Sequence, residues 1–267
     1  MKIQEGRVTI EKNVVIGKGG NRPLEADIFL PPINRQDRPA ILFVHGGGWI
    51  EGDRTQLRGY GILLARLGFV CMCCSYRLSN EAIWPAQIQD VNCAIRYFRA
   101  NSTDLGVDSS RIGVSGNSAG AHLALMAAAT EYDKIFEGEG GNNQVPSLVK
   151  AVCAVYPPTA IRNLENINPL ENAFLMLMGK DAEQSDYDKA SPINYVTHDF
   201  PPCMLIHGSA DKVVRLKDST NFYEKLIEMN RPSELHIFSD EEHAFDGKSD
   251  YGRTIADLQG LFFLKYL

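Results

Sequence analysis

The sequence predicts an α/β fold: a mostly parallel central sheet flanked by helices on both faces, in a single domain over residues 1–267. Two observations predict it. Short apolar runs alternate with longer amphipathic stretches along most of the chain, the order that repeated strand–helix–strand units produce. Two of those runs also end directly in glycine-rich turns, at the carboxyl ends of strands, where parallel sheets gather their chemistry.

The elements follow in order. Val8–Ile10, Val14–Ile16 and Leu24–Leu30 read as early antiparallel strands. Ala40–His45 is a continuous apolar run ending in glycines, the pattern of a strand buried on both faces. Gln56–Leu67 is helical, and Phe69–Ser75 is the next buried strand. Pro85–Ala100 is a helix with Pro in its first turn and Ile88, Val91, Ile95 and Phe98 on one face. Arg111–Ser115 is a strand, Ala119–Thr130 an Ala-rich helix, and Val149–Tyr156 and Cys203–His207 are strands. Val214–Asn230 is a helix, Glu234–Phe238 the last strand, and Tyr251–Leu267 the closing helix. Two segments interrupt the alternation. Glu131–Ser147, polar and glycine-rich, predicts a surface loop. Pro157–Pro201 is a long insertion, in which Phe174–Met178 predicts a short helix partly covering the site.

Composition excludes several partners. A net charge of −6 argues against nucleic acid, which needs a clustered excess of Lys and Arg. No apolar run approaches the roughly 18 residues of a membrane helix. The start, Met1 to Gly6, lacks the apolar core of a signal peptide. The chain as given therefore predicts a cytoplasmic protein, or a secreted one if a leader has been removed. Cys71, Cys73, Cys74, Cys93, Cys153 and Cys203 fall mostly in predicted central strands, so buried free thiols are expected rather than disulfides or a metal site. The Asn101-Ser102-Thr103 sequon carries little weight without a secretory signal. Oligomeric state stays open, a homodimer included.

Gly116-Asn117-Ser118-Ala119-Gly120 matches G-x-S-x-G, directly after an apolar strand and directly before a helix. Nucleophilic chemistry needs that context. A sharp strand-to-helix turn pushes the serine Oγ outward, and glycines on either side let strand and helix approach. The helix N-terminus favours developing negative charge. Upstream, His45-Gly46-Gly47-Gly48-Trp49 follows a buried strand. Consecutive glycines are entropically costly and make sense where backbone N–H groups approach a ligand. The N–H groups of Gly47, Gly48 and Ala119 are the candidate oxyanion donors.

Serine needs a base, and the base an orienting carboxylate. Of six histidines, only His243 lies just after the last strand. His45 belongs to the glycine loop, and His122 is one turn past Ser118 and expected to pack in the core. His207 ends a strand, His236 lies within one, and His198 sits in a polar loop. Asp211, after the strand that precedes the last, is the candidate acid. Asp240, Glu241, Glu242 and Asp246 are rivals read instead as a solvated acidic loop. The chain order Ser118, Asp211, His243 is that of the nucleophile-elbow hydrolases.

Together these residues resemble the α/β-hydrolase esterases around hormone-sensitive lipase, and look closest to the bacterial group of acetyl xylan and feruloyl esterases. The resemblance runs from about Ile41 to Leu267. It is carried by His45–Trp49, Tyr76–Ser79, Pro85–Asp90, Gly116–Gly120, Ser191–Ile193, His207–Asp211 and His243. It implies an α/β-hydrolase fold and hydrolysis of short-acyl carboxylic esters through an acyl-serine, with no metal or organic cofactor. The implied substrate is a small-molecule or polysaccharide-linked ester, acetyl or feruloyl esters of plant polysaccharide among them. An amidase such as an arylformamidase, or a peptidase, uses the same triad. A non-catalytic binding protein is the rival of another class. Trp49 and Trp84 are candidates for the pocket lining, with core packing the alternative for each. There are departures. Ala121 stands where these esterases often have a second glycine, and Asn117 replaces an acidic residue common in the relatives, which bears on the pocket wall. Only about 44 strand-like residues precede the glycine loop where the relatives carry a helical cap, which implies a more open site.

Overall fold

The computed structural model describes residues 3–130, 133–162 and 169–267. Residues 131–132 of the predicted surface loop, 163–168 of the predicted insertion, and the first two residues of the N-terminal stretch lie outside the described residues.

In chain order the strands are β1 (Thr9–Gly19), β2 (Arg22–Leu30), β3 (Arg38–Val44), β4 (Val70–Cys74), β5 (Val107–Asn117), β6 (Ala151–Val155), β7 (Cys203–Gly208) and β8 (Ser233–Phe238). The helices are α1 (Arg58–Ala65), α2 (Ala86–Ala100), α3 (Ser102–Leu105), α4 (Ala119–Ala129), α5 (Lys134–Glu137), α6 (Pro169–Met178), α7 (Gln184–Lys189), α8 (Leu216–Glu228) and α9 (Ser249–Tyr266). The eight strands form one sheet in the order β1-β2-β4-β3-β5-β6-β7-β8. The β1–β2 and β2–β4 pairs are antiparallel, and every other pair is parallel.

Strand periodicity divides the core in two. On β3, Ala40, Leu42 and Val44 face one apolar cluster, while Ile41 and Phe43 face the other. β4 repeats this with Val70, Met72 and Cys74 against Cys71 and Cys73, and β7 with Cys203 and Leu205 against Met204 and Ile206. Both faces are thus apolar, which is why these strands read as unbroken apolar runs. Ile88, Val91, Ile95 and Phe98 of α2, with α4 and the Phe222 and Leu226 of α8, cover the first face. Leu64 and Ala65 of α1 and Ile255, Phe262 and Phe263 of α9 cover the second. Helix α4 is buried all round, from Ala119 to Ala128, and this explains its run of small apolar residues. All six cysteines are buried free thiols, and burial pushes Cys74 and Cys153 up to about 12. Among the described residues no helix is long and apolar enough to cross a membrane.

Several local expectations change. The predicted strands Val8–Ile10 and Val14–Ile16 are one strand, β1, whose register shifts between Glu11 and Val14 and again between Val15 and Gly17. Asn13 takes a left-handed φ of 57° at the first shift, and its N–H donates to Asp27 Oδ1 at 3.1 Å. The predicted surface loop contains α5, whose Phe136 is buried, and Gly140 accepts a hydrogen bond from Lys18 N at 2.8 Å. Polar composition hid both, because this segment packs against the edge of β1 and against α2.

Of the three buried histidines, His45 and His122 pack in the core among aromatic and backbone groups. His45 stacks on Tyr76 with ring centroids 4.3 Å apart. His122 is fully buried, and its Nε2–H donates to Ala190 O at 2.7 Å. Burial lowers each from 6.5 to about 4, so both are neutral in the fold. Between those pH values the unfolded chain binds more protons than the folded one, so stability rises with pH across the window and is lost on acidification. The loss approaches about 3 kcal/mol per histidine. Melting followed by circular dichroism is expected to show a Tm that falls steeply from pH 6.5 to 4. The variant His122→Gln keeps a donor for Ala190 O and removes one titration, so its Tm is expected to fall less over the same range.

Candidate active site

The sheet order sets the site. β3 and β5 are neighbours, with Val44 opposite Gly116, so the glycine loop after β3 lies beside the turn after β5. β6, β7 and β8 follow in order, which lines up Tyr156, Asp211 and His243 along the carboxyl edge of the sheet. This is the edge at which open α/β sheets hold ligands.

Ser118 links β5 to α4 with φ 52° and ψ −121°, a strained conformation that costs about 1–3 kcal/mol. Its N–H donates to Val155 O at 2.9 Å. The turn depends on glycine. A Cβ on Gly120 would lie 2.0 Å from Val44 O and 2.4 Å from His45 O, and one on Gly116 would lie 2.4 Å from Gly120 O. The elbow is pressed against the end of β3 by backbone contacts that leave no room for a methyl group.

Ser118, His243 and Asp211 come together. His243 Nε2 lies 2.9 Å from Ser118 Oγ, and His243 Nδ1 lies 2.7 Å from Asp211 Oδ2. Asp211 Oδ1 accepts from the N–H groups of Val213 and Val214 at 2.8 and 2.9 Å. Burial pushes the Asp211 carboxyl up, but hydrogen bonds from His207 and His243, and the charge of His243, outweigh it and hold the group well below the ordinary carboxylate value.

His207 is a participant that sequence reasoning missed. It is fully buried, and its Nε2 lies 3.0 Å from Val214 O and 3.3 Å from Asp211 Oδ2. Both are acceptors, so Nε2 carries the proton, and Nδ1 accepts from the Ser219 hydroxyl at 2.8 Å. His207 thus braces the same carboxylate oxygen that holds His243. The available signal was its spacing, four residues before Asp211 on a strand end.

The glycine loop curves over the elbow. Gly47 has φ 105°, and a Cβ there would lie 2.1 Å from Glu51 O. Gly47 O accepts from the N–H groups of Ile50 and Glu51 at 3.0 and 3.1 Å, which closes the turn. Among the described residues, the N–H groups of Gly47 and Gly48 have no partner within the protein. Ala119 opens α4, so its N–H precedes the intrahelical ladder.

Ser118 and His243 open into a cleft of about 850 Å³ whose walls include Gly47, Gly48, Ile50, Leu63, Asn117 and Ala173. Asn117 lines it. The two tryptophans do not. Trp49 is fully buried, edge-on to His122 at 5.1 Å and tilted against Phe174 at 5.8 Å. Trp84 packs on His122 and Phe136 at 5.5 and 5.7 Å and lines a separate pocket. Trp49 has a left-handed φ of 60°, and its ring is enclosed between His122 and Phe174. The acidic loop also differs from expectation. Asp240 and Glu242 are exposed, but Glu241 is buried and pairs with Lys248, and Asp246 is half-buried in a hydrogen-bond cluster beside Ser118.

Fold and site together define the α/β-hydrolase class, with a serine elbow, a glycine loop and a His–Asp pair along one sheet edge. Residues 26–226 match the BD-FAE family model, and the chain belongs to that family. It is 35% identical over 203 residues to Esterase LipC of Mycobacterium tuberculosis, covering 72% of this chain and 49% of the relative. It is 31% identical over 242 residues to Esterase LipQ of the same organism, covering 88% and 57%. The chain therefore spans about half the length of these curated relatives. Among solved structures, a truncated form of a carbohydrate esterase from gut microbiota superposes with a TM-score of 0.84 at 28% identity, covering 98% of this chain and 100% of that one. The propionate-bound esterase Est2 of Thermogutta terrifontis gives 0.81 at 26% identity, covering 97% and 94%.

The contact at the elbow is directly testable. Gly120→Ala is expected to lose about 3 kcal/mol or more in urea unfolding, because backbone on both sides must move. Gly59→Ala, on α1, is the control: nothing lies within 4 Å of its Cβ. That helical site is expected to gain up to about 1 kcal/mol.

Proposed function

We propose that this protein is a serine carboxylesterase that hydrolyses short-acyl esters through an acyl-serine intermediate. The observation that carries the reading is the continuous relay from Asp211 through His243 to Ser118, at 2.7 and 2.9 Å. Asp211 accepts from His243 Nδ1–H and so leaves Nε2 with its lone pair toward Ser118. As Oγ attacks the ester carbonyl, Nε2 takes its proton. The oxyanion that forms is met by the N–H groups of Gly47, Gly48 and Ala119, each worth roughly 3 kcal/mol in such holes. The imidazolium, stabilised by ionised Asp211, then protonates the leaving alcohol. Water enters, His243 deprotonates it, and attack on the acyl-serine releases the acid. His207 acts through Asp211, fixing the oxygen that orients His243.

The short-acyl preference is supported by the cleft. Ala173 of α6 stands over the glycine loop, with its Cβ 3.5 Å from where a Cβ on Gly48 would lie, so little depth remains beside the oxyanion position. In this reading the described part of the 157–201 insertion, through Ala173, partly covers the site within a single domain. Propionate and butyrate are bound in structures of the Thermogutta esterase, which favours the same acyl range here. A structural neighbour described as a carbohydrate esterase supports acetyl or feruloyl esters of plant polysaccharide as substrates.

A fluorophosphonate probe is expected to label the protein at Ser118, and Ser118→Ala to remain unlabelled with ester turnover reduced at least about 10³-fold. Equal labelling of the variant would refute the mechanism. Turnover of p-nitrophenyl acetate or butyrate is expected to exceed that of the decanoate. A faster decanoate rate would refute the short-acyl pocket.

A further inference from the structure

One face of the cleft carries a polar cluster that the relay does not use. Asp246, three residues past His243, is half-buried and lines the cleft with Tyr60, Asn117 and Tyr156. Its Oδ2 accepts from Tyr60 Oη at 3.1 Å and from Asn117 Nδ2 at 3.2 Å. Its Oδ1 accepts from the Tyr156 hydroxyl. Asn117 Nδ2 also donates to Tyr156 Oη at 3.2 Å. The amide orientation is forced, because the reverse would set the Asn117 oxygen against a carboxylate. Tyr156 in turn packs on the His243 ring, with centroids 4.5 Å apart.

Counting donors and acceptors gives the cluster a polarity. Both phenolic O–H groups and both N–H bonds of the Asn117 amide point inward, to Asp246 or to Tyr156. Burial first, and then the charge of Asp246, raise Tyr60 and Tyr156 far above the ordinary phenol value, so both keep their protons. Every donor is therefore engaged within the cluster. What remains open is acceptor capacity. A carboxylate has about four lone-pair sites and Asp246 has three donors on it, while the Tyr60 oxygen receives none. The charged groups elsewhere on the cleft wall, Glu51 and Arg253, are exposed.

A wall that only accepts is matched by a ligand group that donates. We propose that Asp246, with Tyr60, is a specificity determinant that takes a hydroxyl of the substrate and rejects a carboxylate in the same place. The proposal rests on the esterase reading above and assigns the selection to residues outside the triad. The hydroxyl can belong to the alcohol part of the ester or to its acyl part, and the two sources are separable by experiment.

The test uses the full chain and matched esters that differ by OH against CH₃. For the alcohol part the pair is 2-hydroxyethyl acetate and propyl acetate. For the acyl part it is methyl 4-hydroxycinnamate and methyl 4-methylcinnamate, with methyl 4-carboxycinnamate as the anionic probe. In at least one pair kcat/KM is expected to favour the hydroxyl about tenfold, the scale of one hydrogen bond to a charged acceptor. The pair that shows it identifies the side of the ester the wall reads. If that is the acyl pair, the carboxylate probe is expected to fall below the methyl ester. In Asp246→Asn, whose amide adds donors, the preference is expected to collapse toward unity. Ratios near one in both pairs of the wild-type protein overturn the proposal without need of a variant, as does a preference that survives in folded Asp246→Asn. Turnover of p-nitrophenyl acetate keeps the two readings apart. Its absence refutes the esterase, whereas turnover with flat ratios refutes only the wall.

Discussion

The carbonyl oxygen of Val44 would lie 2.0 Å from a Cβ on Gly120, and most of the site follows from that closeness. The first turn of α4 is pressed onto the end of β3, and the chain leaving β5 has no room to turn gradually. Ser118 absorbs the change of direction in one residue, at a φ of 52°. The side chain so placed reaches His243 Nε2 at 2.9 Å, and the residue that follows it, Ala119, opens α4. Strain at Ser118 is held by the neighbouring strand, through its N–H on Val155 O, and by the buried face of α4. Core packing and the geometry of the serine elbow are thus one constraint, set by backbone contact rather than by a side-chain interaction.

Electrostatics at the other end of the relay obey a second economy. Asp211 is buried, so its charge must be met by donors. Two backbone N–H groups occupy one oxygen, and His207 and His243 share the other. With every direction satisfied the carboxylate cannot rotate, and the imidazole of His243 inherits that fixity. The second histidine is fully enclosed and anchored to Ser219 and to Val214 O, so it acts as a strut.

Legibility in the sequence followed the range of the interactions concerned. The alternation of strands and helices was readable because burial on both faces of β3, β4 and β7 writes itself into contiguous apolar runs. Ser118, Asp211 and His243 were singled out because each follows a strand at once, so position in the chain implies position on the sheet edge. The indoles of Trp49 and Trp84 had no such marker. Which way each ring turns depends on His122, Phe136 and Phe174, which lie far away in sequence. Asp246 was unreadable for the same reason, since its partners Tyr60, Asn117 and Tyr156 are 186, 129 and 90 residues distant. Bulges in β1 escaped notice because a register shift is a relation between two strands, and a single strand shows only a break in pattern.

The relay is divided among connections of very different length. Turns of a few residues after β5, β7 and β8 carry Ser118, Asp211 and His243, while the link between β6 and β7 runs to 47 residues and supplies Ala173 to the cleft wall. Parallel pairing of β6 with β7 fixes the ends of that link whatever lies between them. Insertions, deletions and substitutions there can accumulate over evolutionary time without moving the reacting atoms. The shape of the cleft wall and the spacing of Ser118, His243 and Asp211 can then vary independently, the first through the link and the second only through the sheet.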